Sequence, residues 1–579
     1  MESQSLAQKP AAASSSPPPS SPTSTAATTT VPIIDKKLLE AARRTPHLAD
    51  YLQKISGAGI PMPAYYEKLD GSLKSLKVLN LVYPVTDQIY IHINSIGTSD
   101  GYTEYAIIDP PEPNITLTSN IDRIFAISSA GAEPASDYQQ KMVYLDEFLK
   151  KICAPSKTEV DYTKLDPKVR PIPVYEKDFA NLTYHFIRKR AGLGLLEPFL
   201  TDPYLEDISI IGQGNVFIVH KVFGSLKSPV WLTNDDIDSL VIGMSEQFGK
   251  TVSHAKPVID ATLPEGSRIN IVFGKDVSRK GTNATIRRFA AVPLSITQII
   301  SSKTLDSREA AYMWMMVSEG MSCFINGETA SGKTTTMMGI TLFIPPTWKI
   351  VTIEDTPEIT LPHNNWISEV TRDTGSASSS VTMFDLLKAA LRQRPNYILV
   401  GEIRGVEANI AFQAMQTGHP VISTFHAAQM SSLIQRLTGE PMKIPKPNVE
   451  NLNIALFQAA VQGKDGRPIR RVLSINEVVG YNAGADSVMF IPIFTWDPST
   501  DTVTFRGKGS SNLFVSRLLL KRGMSRKDEG LLYDELDMRT AFLDTLISKK
   551  IFNYYEVYDH LVKTRELGLP KALENLKKL

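Results

Sequence analysis

The segment 327–334 has the residue types and spacing that bind a phosphate group. It contains Gly-Glu-Thr-Ala-Ser-Gly-Lys-Thr, directly after a short apolar run at 321–325. Successive backbone N–H groups of such a glycine loop converge on an anion, and a helix that begins after the loop adds its positive dipole end. We expect Lys333 to reach the β- and γ-phosphates of a nucleoside triphosphate and the Thr334 hydroxyl to hold Mg²⁺. The predicted nucleotide-binding residues are Gly327, Thr329, Ala330, Ser331, Gly332, Lys333, Thr334 and Thr335.

Three carboxylates follow the next apolar run. The segment Ile353-Glu-Asp-Thr-Pro-Glu358 places Glu354, Asp355 and Glu358 within five residues, at the end of a predicted strand. A carboxylate in this position can orient or deprotonate the water that attacks a γ-phosphate. We predict this role for Glu358, with Glu354 as the alternative, and we include Asp355 in the site. A charged surface turn without a chemical role is the competing interpretation.

Another carboxylate stands at the tip of a buried strand. The run Tyr397-Ile-Leu-Val-Gly401-Glu402 is apolar until its last two residues. This is the pattern of a Walker B strand, with Glu402 where aspartate is more usual, and it predicts that Glu402 holds the hydration shell of Mg²⁺. Arg404 follows two residues later. We expect it either to neutralise phosphate charge or to form a structural ion pair.

Two histidines bracket a further predicted strand at 421–424. His419 lies before this strand and His426 after it. His426 is the stronger candidate, because the carboxyl end of its strand faces the phosphate side, where a neutral imidazole could sense or donate to a phosphate oxygen. Zinc binding is disfavoured, since no third and fourth ligand has suitable spacing.

Three arginines upstream could act on the same phosphate. Arg268 begins a strand-like run, and Arg287 and Arg288 end another. Arginines from a neighbouring domain or subunit can stabilise the charge that develops on a transferred phosphoryl group. A solvated basic face is the competing interpretation.

The elements that must position these residues alternate between strand and helix from residue 293 onward. Recurring strands between helices predict a mostly parallel sheet that is covered on both faces, with its ligand site at the carboxyl ends of the strands. Beyond about residue 505 the pattern is helical. The predicted strands are 322–326, 349–353, 397–400 and 421–424, and the predicted helices are 334–341, 382–393, 406–416 and 428–438.

Upstream of this region the chain falls into three predicted parts. Residues 1–32 are rich in Ser, Pro, Ala and Thr and predict a disordered tail. Residues 33–165 predict an N-terminal domain, with a helix at 36–52 and a strand at 88–93. Residues 170–290 mix a helix with several strand-like runs and predict a small α+β domain.

Composition narrows the classes of function. The chain has 579 residues and a formal net charge of +1, so its overall charge does not indicate binding to nucleic acid. Its two cysteines, Cys153 and Cys323, cannot form a disulfide framework, and a reducing compartment is expected. We find neither a secretory signal nor an apolar run long enough to cross a membrane, so membrane association is expected to be peripheral and to depend on partners.

In this order, the motifs resemble the secretion ATPase superfamily of type II and type IV secretion and type IV pili. Its signatures are a phosphate loop, an acidic box (here 353–358), a Walker B strand that ends in Gly-Glu, and a histidine box (here 417–426). The resemblance is greatest to the archaeal branch, which assembles archaella and archaeal pili, through Ala389-Ala-Leu-Arg-Gln-Arg-Pro395 and Ile493-Phe-Thr-Trp-Asp-Pro498. The segment Glu206-Asp207-Ile-Ser209 resembles the middle domain of the same family.

The resemblance implies an α/β fold in which residues 293–579 form a RecA-like phosphate-loop NTPase domain with a helical C-terminal extension. A PAS-like middle α+β domain at 170–290 and an N-terminal α+β domain at 33–165, which docks to partners or the membrane, would precede it. ATP and Mg²⁺ are the implied ligands, and a homo-hexameric ring is the implied assembly. The implied partner is a polytopic membrane platform protein, reached from the cytoplasm at the inner face of the cell membrane.

Three functions compete. The leading interpretation is an ATP-hydrolysing motor that assembles a pilus or archaellum or drives type II/IV secretion. The alternative is a conjugative-type ATPase that translocates DNA or protein, against which the neutral charge argues. A nucleotide-binding scaffold without turnover is disfavoured, because Lys333, Glu358, Glu402 and His426 are all present.

Overall fold

The chain divides by its contacts into two units, with the boundary between Ile187 and Arg188. The computed structural model describes residues 35–98, 101–128, 138–166, 169–247, 251–263, 266–288, 292–372, 378–463 and 468–579. The predicted tail at 1–32 lies outside the described residues. The observed boundary lies C-terminal to residue 170, where the middle domain is predicted to begin, and falls inside a helix. The predicted division into N-terminal, middle and C-terminal domains therefore stays a prediction.

The first unit contains a small sheet with helices before and after it. Its elements in chain order are α1 (Lys36–Arg44), α2 (Pro46–Gly57), β1 (Ala64–Tyr65), β2 (Asn80–Pro84), β3 (Tyr90–Asn94), β4 (Glu104–Ile108), α3 (Ile115–Ser128), α4 (Tyr138–Ile152), β5 (Cys153–Ser156), β6 (Ile172–Tyr175) and the beginning of α5 (Glu176–Arg190). In the sheet, β1 pairs parallel with β2, whereas the β2–β3 and β3–β4 pairs are antiparallel.

The helix predicted at 36–52 is two helices. Thr45 has extended backbone angles between α1 and α2, and Pro46 is the first residue of α2. The residue before a proline is pushed out of the helical region by the pyrrolidine ring, which explains the break. The expectation of one continuous helix was therefore wrong, and Pro46 was the signal that it overlooked.

The second unit begins with an antiparallel sheet, which we call the middle sheet. Its elements are α6 (Glu197–Thr201), β7 (Leu205–Ile210), β8 (Gly214–His220), β9 (Gly224–Leu232), α7 (Asn234–Gln247), β10 (Val258–Thr262), β11 (Arg268–Val272) and β12 (Asn283–Arg287). The strand order is β9-β8-β7-β12-β11-β10. Alternate residues such as Ile269 and Ile286 are buried on one face, so the opposite face carries Arg268 and Arg287, which are register partners on β11 and β12.

A second, larger sheet follows, which we call the main sheet. Its elements are α8 (Ile296–Ser301), α9 (Ser307–Ser318), β13 (Cys323–Gly327), α10 (Lys333–Thr341), β14 (Ile350–Glu354), β15 (Trp366–Val370), α11 (Met383–Arg392), β16 (Tyr397–Glu402), α12 (Glu407–Gln416), β17 (Val421–Phe425), α13 (Met430–Thr438), β18 (Ile454–Gln462), β19 (Pro468–Asn482), β20 (Ser487–Asp497), β21 (Thr502–Phe505), α14 (Glu529–Ser548), α15 (Tyr554–Leu567) and α16 (Leu569–Lys578). The strand order is β15-β14-β16-β17-β13-β18-β19-β20-β21.

The main sheet is parallel in its first part and antiparallel in its second. The strands from β15 to β18 run parallel, and β18 to β21 form antiparallel pairs. Side chains alternate between two cores: Ile398 and Val400 pack with α11, α12 and α13, whereas Tyr397 and Leu399 pack with α9, α10 and α14. Burial on both faces explains why the parallel strands are almost wholly apolar.

The carboxyl ends of β13, β14, β16 and β17 meet at one edge of the main sheet, because neighbouring strands there run parallel. The phosphate loop and each of the three predicted motifs leave the sheet at this edge. Among the described residues, no helix combines the length and the apolar character needed to cross a membrane.

Candidate active site

The phosphate loop connects the end of β13 to the beginning of α10. Gly332 is the N-cap of α10 and has a φ of 91°, and Ala330 has a φ of 62°. Two left-handed residues in so short a loop turn the chain sharply between strand and helix. Glycine is therefore favoured at position 332 by the left-handed backbone conformation. The first N–H groups of α10 have no partner within the helix and form an anion site at the loop.

Close packing also requires glycine at the beginning of the loop. A Cβ atom on Gly327 would lie 2.2 Å from the carbonyl oxygen of Gln458, which is the register partner of Gly327 on β18. A Cβ on Gly332 would meet Gln458 Nε2 and Arg470 Cδ, each at 3.0 Å. The antiparallel part of the main sheet thus lies directly against the phosphate loop.

Lys333 folds back over the loop. Its Nζ donates a hydrogen bond to the carbonyl oxygen of Glu328 at 2.9 Å, and the Ser331 hydroxyl donates to the same oxygen at 2.8 Å. Burial lowers the pKa of Lys333, and the nearby carboxylate of Glu402 opposes this effect. The ammonium group is therefore held at the mouth of the loop, close to the Walker B carboxylate.

The two glutamates of the acidic box have different environments. Glu354 is 2% exposed, and its Oε1 accepts hydrogen bonds from the N–H groups of Glu358 at 2.9 Å and Ile359 at 3.0 Å. Burial raises the pKa of Glu354 to about 7. Glu354 thus fixes the turn that presents Glu358. Asp355 is exposed and accepts a hydrogen bond from the Thr371 hydroxyl at 3.1 Å.

Glu358 is the acidic-box carboxylate that faces other charges. Burial raises its pKa, and the positive charges of Arg268, Arg287 and Arg404 oppose that rise. Glu402 lies close enough to raise the pKa further. A partly desolvated carboxylate among several arginines is suited to accept a proton from a bound water.

A bulge aims Glu402 into the site. The register of β16 with β17 shifts between Val400 and Glu402, and the Thr424 hydroxyl donates to the carbonyl oxygen of Gly401 at 2.6 Å. Such a bulge reorients the following side chain. Glu402 then contacts Arg404, whose Nη2 is 2.5 Å from Oε2. The ion-pair interpretation of Arg404 is thus observed, beside the carboxylate expected to serve Mg²⁺.

His426 joins this group and His419 does not. His426 Nε2 is 2.8 Å from Glu402 Oε1, although no well-aligned hydrogen-bond donor reaches this buried oxygen among the described residues. Burial, followed by the charge of Lys333, lowers the pKa of His426, and Glu402 opposes the shift. The neutral imidazole is therefore favoured.

His419 lies at the opposite edge of the main sheet. It precedes β17, whose five residues span about 16 Å. Its Nδ1 lies 3.2 Å from the Thr417 hydroxyl. The structure therefore does not bring His419 to the site, because a histidine before a parallel strand and one after it must occupy opposite edges.

Two of the three predicted arginines lie close enough to the acidic box for their charges to act on it. Arg268 and Arg287 both act on the charge of Glu358. Arg268 Nη2 is 3.5 Å from Asp260, and Arg287 Nε donates to Asp207 at 3.2 Å. Each arginine is thus tethered by an aspartate of the middle sheet.

Arg288 is placed differently. It follows the last residue of β12, and its guanidinium group donates to the carbonyl oxygen of Asp202. Its backbone N–H donates to the carbonyl oxygen of Glu206 at 2.8 Å. The structure therefore separates Arg288 from Arg268 and Arg287, because it places the Arg288 guanidinium in a structural contact.

The residues at this edge suit a nucleotide with Mg²⁺. Thr334 presents a hydroxyl on the first turn of α10, Glu402 presents a buried acceptor oxygen, and Lys333 supplies a cation. Oxygen ligands and metal-bound water are what Mg²⁺ prefers. Within the described residues, no group of three or more His, Cys, Asp or Glu side chains is arranged as a metal site.

The comparison with known proteins agrees with these motifs. Residues 245–457 match the family described as type II/IV secretion system protein. The VirB11 protein of Agrobacterium fabrum is 30% identical over 263 residues, which cover 40% of this chain and 76% of VirB11. The chain belongs to the type II/IV secretion ATPase family. An uncharacterized protein of Methanocaldococcus jannaschii is 42% identical over 546 residues, which cover 92% of this chain and 98% of that relative.

Two solved ATPase structures are similar to this chain at lower sequence identity than these relatives. The VirB11 ATPase of the Brucella suis type IV secretion system, in complex with sulphate, is 24% identical, with a TM-score of 0.25 over 48% of this chain and 91% of that one. The ATPase DotB of Legionella pneumophila is 19% identical, with a TM-score of 0.36 over 57% of this chain and 92% of that one.

Sequence reasoning missed two residues at the phosphate loop of this family member. Gln458 Nε2 donates to the Ser331 carbonyl oxygen at 2.6 Å, and Arg470 Nε donates to the Ala330 carbonyl oxygen at 3.2 Å. Both belong to the antiparallel strands β18 and β19, which no local motif links to the loop. A strand prediction for 454–462 could have located Gln458 near the loop, although not its contact.

Proposed function

We propose that this chain is an ATPase motor that couples hydrolysis to the assembly of a type IV pilus-like appendage, pilus or archaellum, or to type II/IV secretion. The observation that carries the proposal is the meeting of Lys333, Glu358, Glu402 and His426 at one edge of the main sheet, in a chain of the secretion ATPase family. Together these residues offer a phosphate cradle, a base, a metal acceptor and a phosphate sensor.

The chemical roles follow from the surroundings of each residue. The loop N–H groups and Lys333 would bind the β- and γ-phosphates, and Thr334 and Glu402 would hold Mg²⁺, which neutralises phosphate charge. Glu358 would take the proton of the attacking water, because its carboxylate is not used by backbone donors as that of Glu354 is. Arg268 and Arg287 would stabilise the charge on the transferred phosphoryl group.

The motor function extends this chemistry to partners. We propose a homo-hexameric ring of RecA-like domains with helical C-terminal extensions, in which a PAS-like middle domain moves against each RecA-like domain as ATP is hydrolysed. The ring would act from the cytoplasm on a polytopic membrane platform protein, and it would be recruited peripherally to the inner face of the membrane through its N-terminal domain. The M. jannaschii relative, which is similar over nearly its whole length, supports placing the chain in the archaeal branch of the family.

A second candidate is translocation of a conjugative type. The similarity to VirB11 and to the type IV secretion system protein PtlH of Bordetella pertussis, 29% identical over 294 residues, favours it. The near-zero net charge argues against DNA as the cargo. Salt-dependent binding to DNA, with affinity that falls steeply between low and physiological salt, would favour this candidate over the assembly motor.

The test is Mg²⁺-dependent phosphate release by the full chain, alone and with candidate platform proteins in lipid. We expect turnover in the wild type, its loss in Lys333→Ala and Glu358→Gln, and stimulation by the membrane components. Lys388→Ala and Glu440→Gln are matched controls, since both residues are exposed and belong to none of the site motifs. A wild type that binds ATP but never releases phosphate would favour the scaffold interpretation.

A further inference from the structure

The backbone of the phosphate loop is held from β18 by one buried side chain. Gln458 is 2% exposed and uses both ends of its amide. Its Nε2 donates to the Ser331 carbonyl oxygen at 2.6 Å, and its Oε1 accepts a hydrogen bond from the Thr336 hydroxyl at 2.7 Å. One side chain therefore joins the last turn of the loop to the first turn of α10.

The network fixes the orientation of this amide. A carbonyl oxygen can only accept a hydrogen bond, so the amide end that faces Ser331 must be the NH₂ group. Oε1 then faces Thr336, whose hydroxyl can donate. The strand also contributes, because the register between β18 and β19 shifts between Phe457 and Gln458. Such a bulge re-aims the side chain that follows it.

The geometry of a peptide bond connects this contact to anion binding. The Ser331–Gly332 peptide is planar and trans, so its N–H points away from its C=O. A partner that holds the Ser331 oxygen on the β18 side therefore directs the Gly332 N–H towards the opposite side of the loop. That N–H belongs to the group that converges on a phosphate in such loops.

We propose that Gln458 is a positioning residue of the phosphate loop, which aims the Gly332 N–H at the nucleotide phosphate by holding the Ser331 carbonyl. This proposal rests on the proposed function, because it concerns the same nucleotide. It makes nucleotide affinity depend on the antiparallel strands, which carry none of the family motifs. Arg470 holds the neighbouring Ala330 carbonyl from β19 in the same manner, although through a longer and more exposed contact.

The test removes the amide group of Gln458 without creating a cavity. Gln458→Met keeps a similar volume and removes both hydrogen bonds. Gln462→Met is the matched control, since Gln462 lies on the same strand, is exposed and is about 13 Å farther along the strand. Dissociation constants for Mg·ATP and Mg·ADP would be measured by calorimetry on the full chain, together with KM, kcat and the thermal midpoint. We expect Gln458→Met to bind both nucleotides about tenfold more weakly or worse, and Gln462→Met to bind as the wild type does.

A second variant keeps the proposal testable if Gln458→Met does not fold. Thr336→Val removes the hydroxyl that donates to Gln458 Oε1 while it keeps the shape of the side chain, and we expect a smaller loss of affinity, roughly threefold. A folded Gln458→Met or Thr336→Val protein with wild-type nucleotide affinity would overturn the proposal. A wild type that binds Mg·ATP without hydrolysing it would refute the motor function alone, because the affinities of the variants could still be compared.

Discussion

At the scale of single residues, the two glutamates of the acidic box have different partners. The sequence predicts Glu358 as the base and leaves Glu354 as the alternative, because both residues follow the same strand. The structure assigns the carboxylate of Glu354 to two backbone N–H groups and places that of Glu358 near arginines. The chemical identity of a residue is thus visible in the sequence, whereas its partners depend on how the turn folds.

The pKa of Glu354 leads to a prediction about pH. Its pKa of about 7 in the folded protein lies above the usual glutamate value of 4.5, so the native state holds this proton more tightly than the unfolded chain does. Protonated Glu354 therefore stabilises the folded state relative to the ionised form. This contribution to the free energy of unfolding is fully present below pH 4.5 and is lost as the pH rises through 7. We expect Glu354→Gln, which keeps an acceptor for both N–H groups and cannot ionise, to gain stability relative to the wild type at higher pH, of the order of 3 kcal/mol.

The measurement compares thermal midpoints of the wild type and Glu354→Gln at pH 5 and pH 8. The difference between the two proteins should shift in favour of the variant at pH 8, whatever its value at pH 5. Asp355→Asn is the control, because Asp355 is exposed and should show no such change. An equal difference between the wild type and Glu354→Gln at both pH values would contradict the assignment.

At the scale of elements, one buried carboxylate connects the C-terminal part of the second unit to the main sheet. Glu477 on β19 is 0% exposed. It accepts hydrogen bonds from the Tyr312 hydroxyl on α9 at 2.7 Å, the Ser511 hydroxyl at 2.6 Å and the Leu513 N–H at 3.0 Å. A strand, a helix and the segment that leads to α14 therefore share a single acceptor.

We expect Glu477→Ala to lower the free energy of unfolding by at least about 3 kcal/mol, because three buried donors lose their partner. Tyr312→Phe removes one of these hydrogen bonds and should cost about 1 kcal/mol. Thermal and chemical unfolding of the full chain, followed by circular dichroism, would measure both. A Glu477→Ala protein as stable as Tyr312→Phe would show that the other two hydrogen bonds contribute little.

Four parallel strands of the main sheet, β13, β14, β16 and β17, could be predicted from the sequence, whereas β15 and the strands from β18 to β21 were not predicted. The strands predicted at 322–326, 349–353 and 421–424 lie within a residue or two of β13, β14 and β17. Their apolar runs are short, continuous and separated by helices, which is a local signal. The strands from β18 to β21 follow one another as antiparallel hairpins, with Gln462 opposite Pro468, Asn482 opposite Ser487 and Asp497 opposite Thr502. Among the described residues no helix separates them, so the alternation of strand and helix on which the prediction rested did not reveal them.

The same limit applied to the site. The phosphate loop, the acidic box and Glu402 lie in or next to local motifs, and each reached the predicted edge of the main sheet. Gln458 and Arg470 are separated from the loop by more than a hundred residues. Their contacts depend on the register of β18 with β13, which the sequence does not specify locally. His419 was misplaced for the opposite reason, since it lies next to a motif but before the strand.

At the scale of the whole second unit, charged side chains from the middle sheet and the main sheet act on one another. The middle sheet presents Arg268 and Arg287, and the main sheet presents Glu358. The arginines are register partners on β11 and β12, so they move together if the middle sheet moves. A change in the position of this sheet would therefore alter the electrostatic environment of Glu358, the proposed base, which is what the proposed motor needs to couple hydrolysis to motion.

Adjacent arginines at the end of β12 allow a sharp test of this coupling. We expect Arg287→Ala to lower kcat by roughly two orders of magnitude or more, because its positive charge acts on Glu358 and is proposed to stabilise the transferred phosphoryl group. Arg288→Ala is the matched control: its guanidinium contacts the Asp202 carbonyl, so it should lose stability and keep most of its kcat. Both variants would be assayed for phosphate release, with nucleotide affinity and thermal midpoint measured in parallel. If Arg288→Ala lost turnover while Arg287→Ala kept it, the assignment of the phosphate-contacting arginine would be reversed, and the middle sheet would have to reorient during the catalytic cycle.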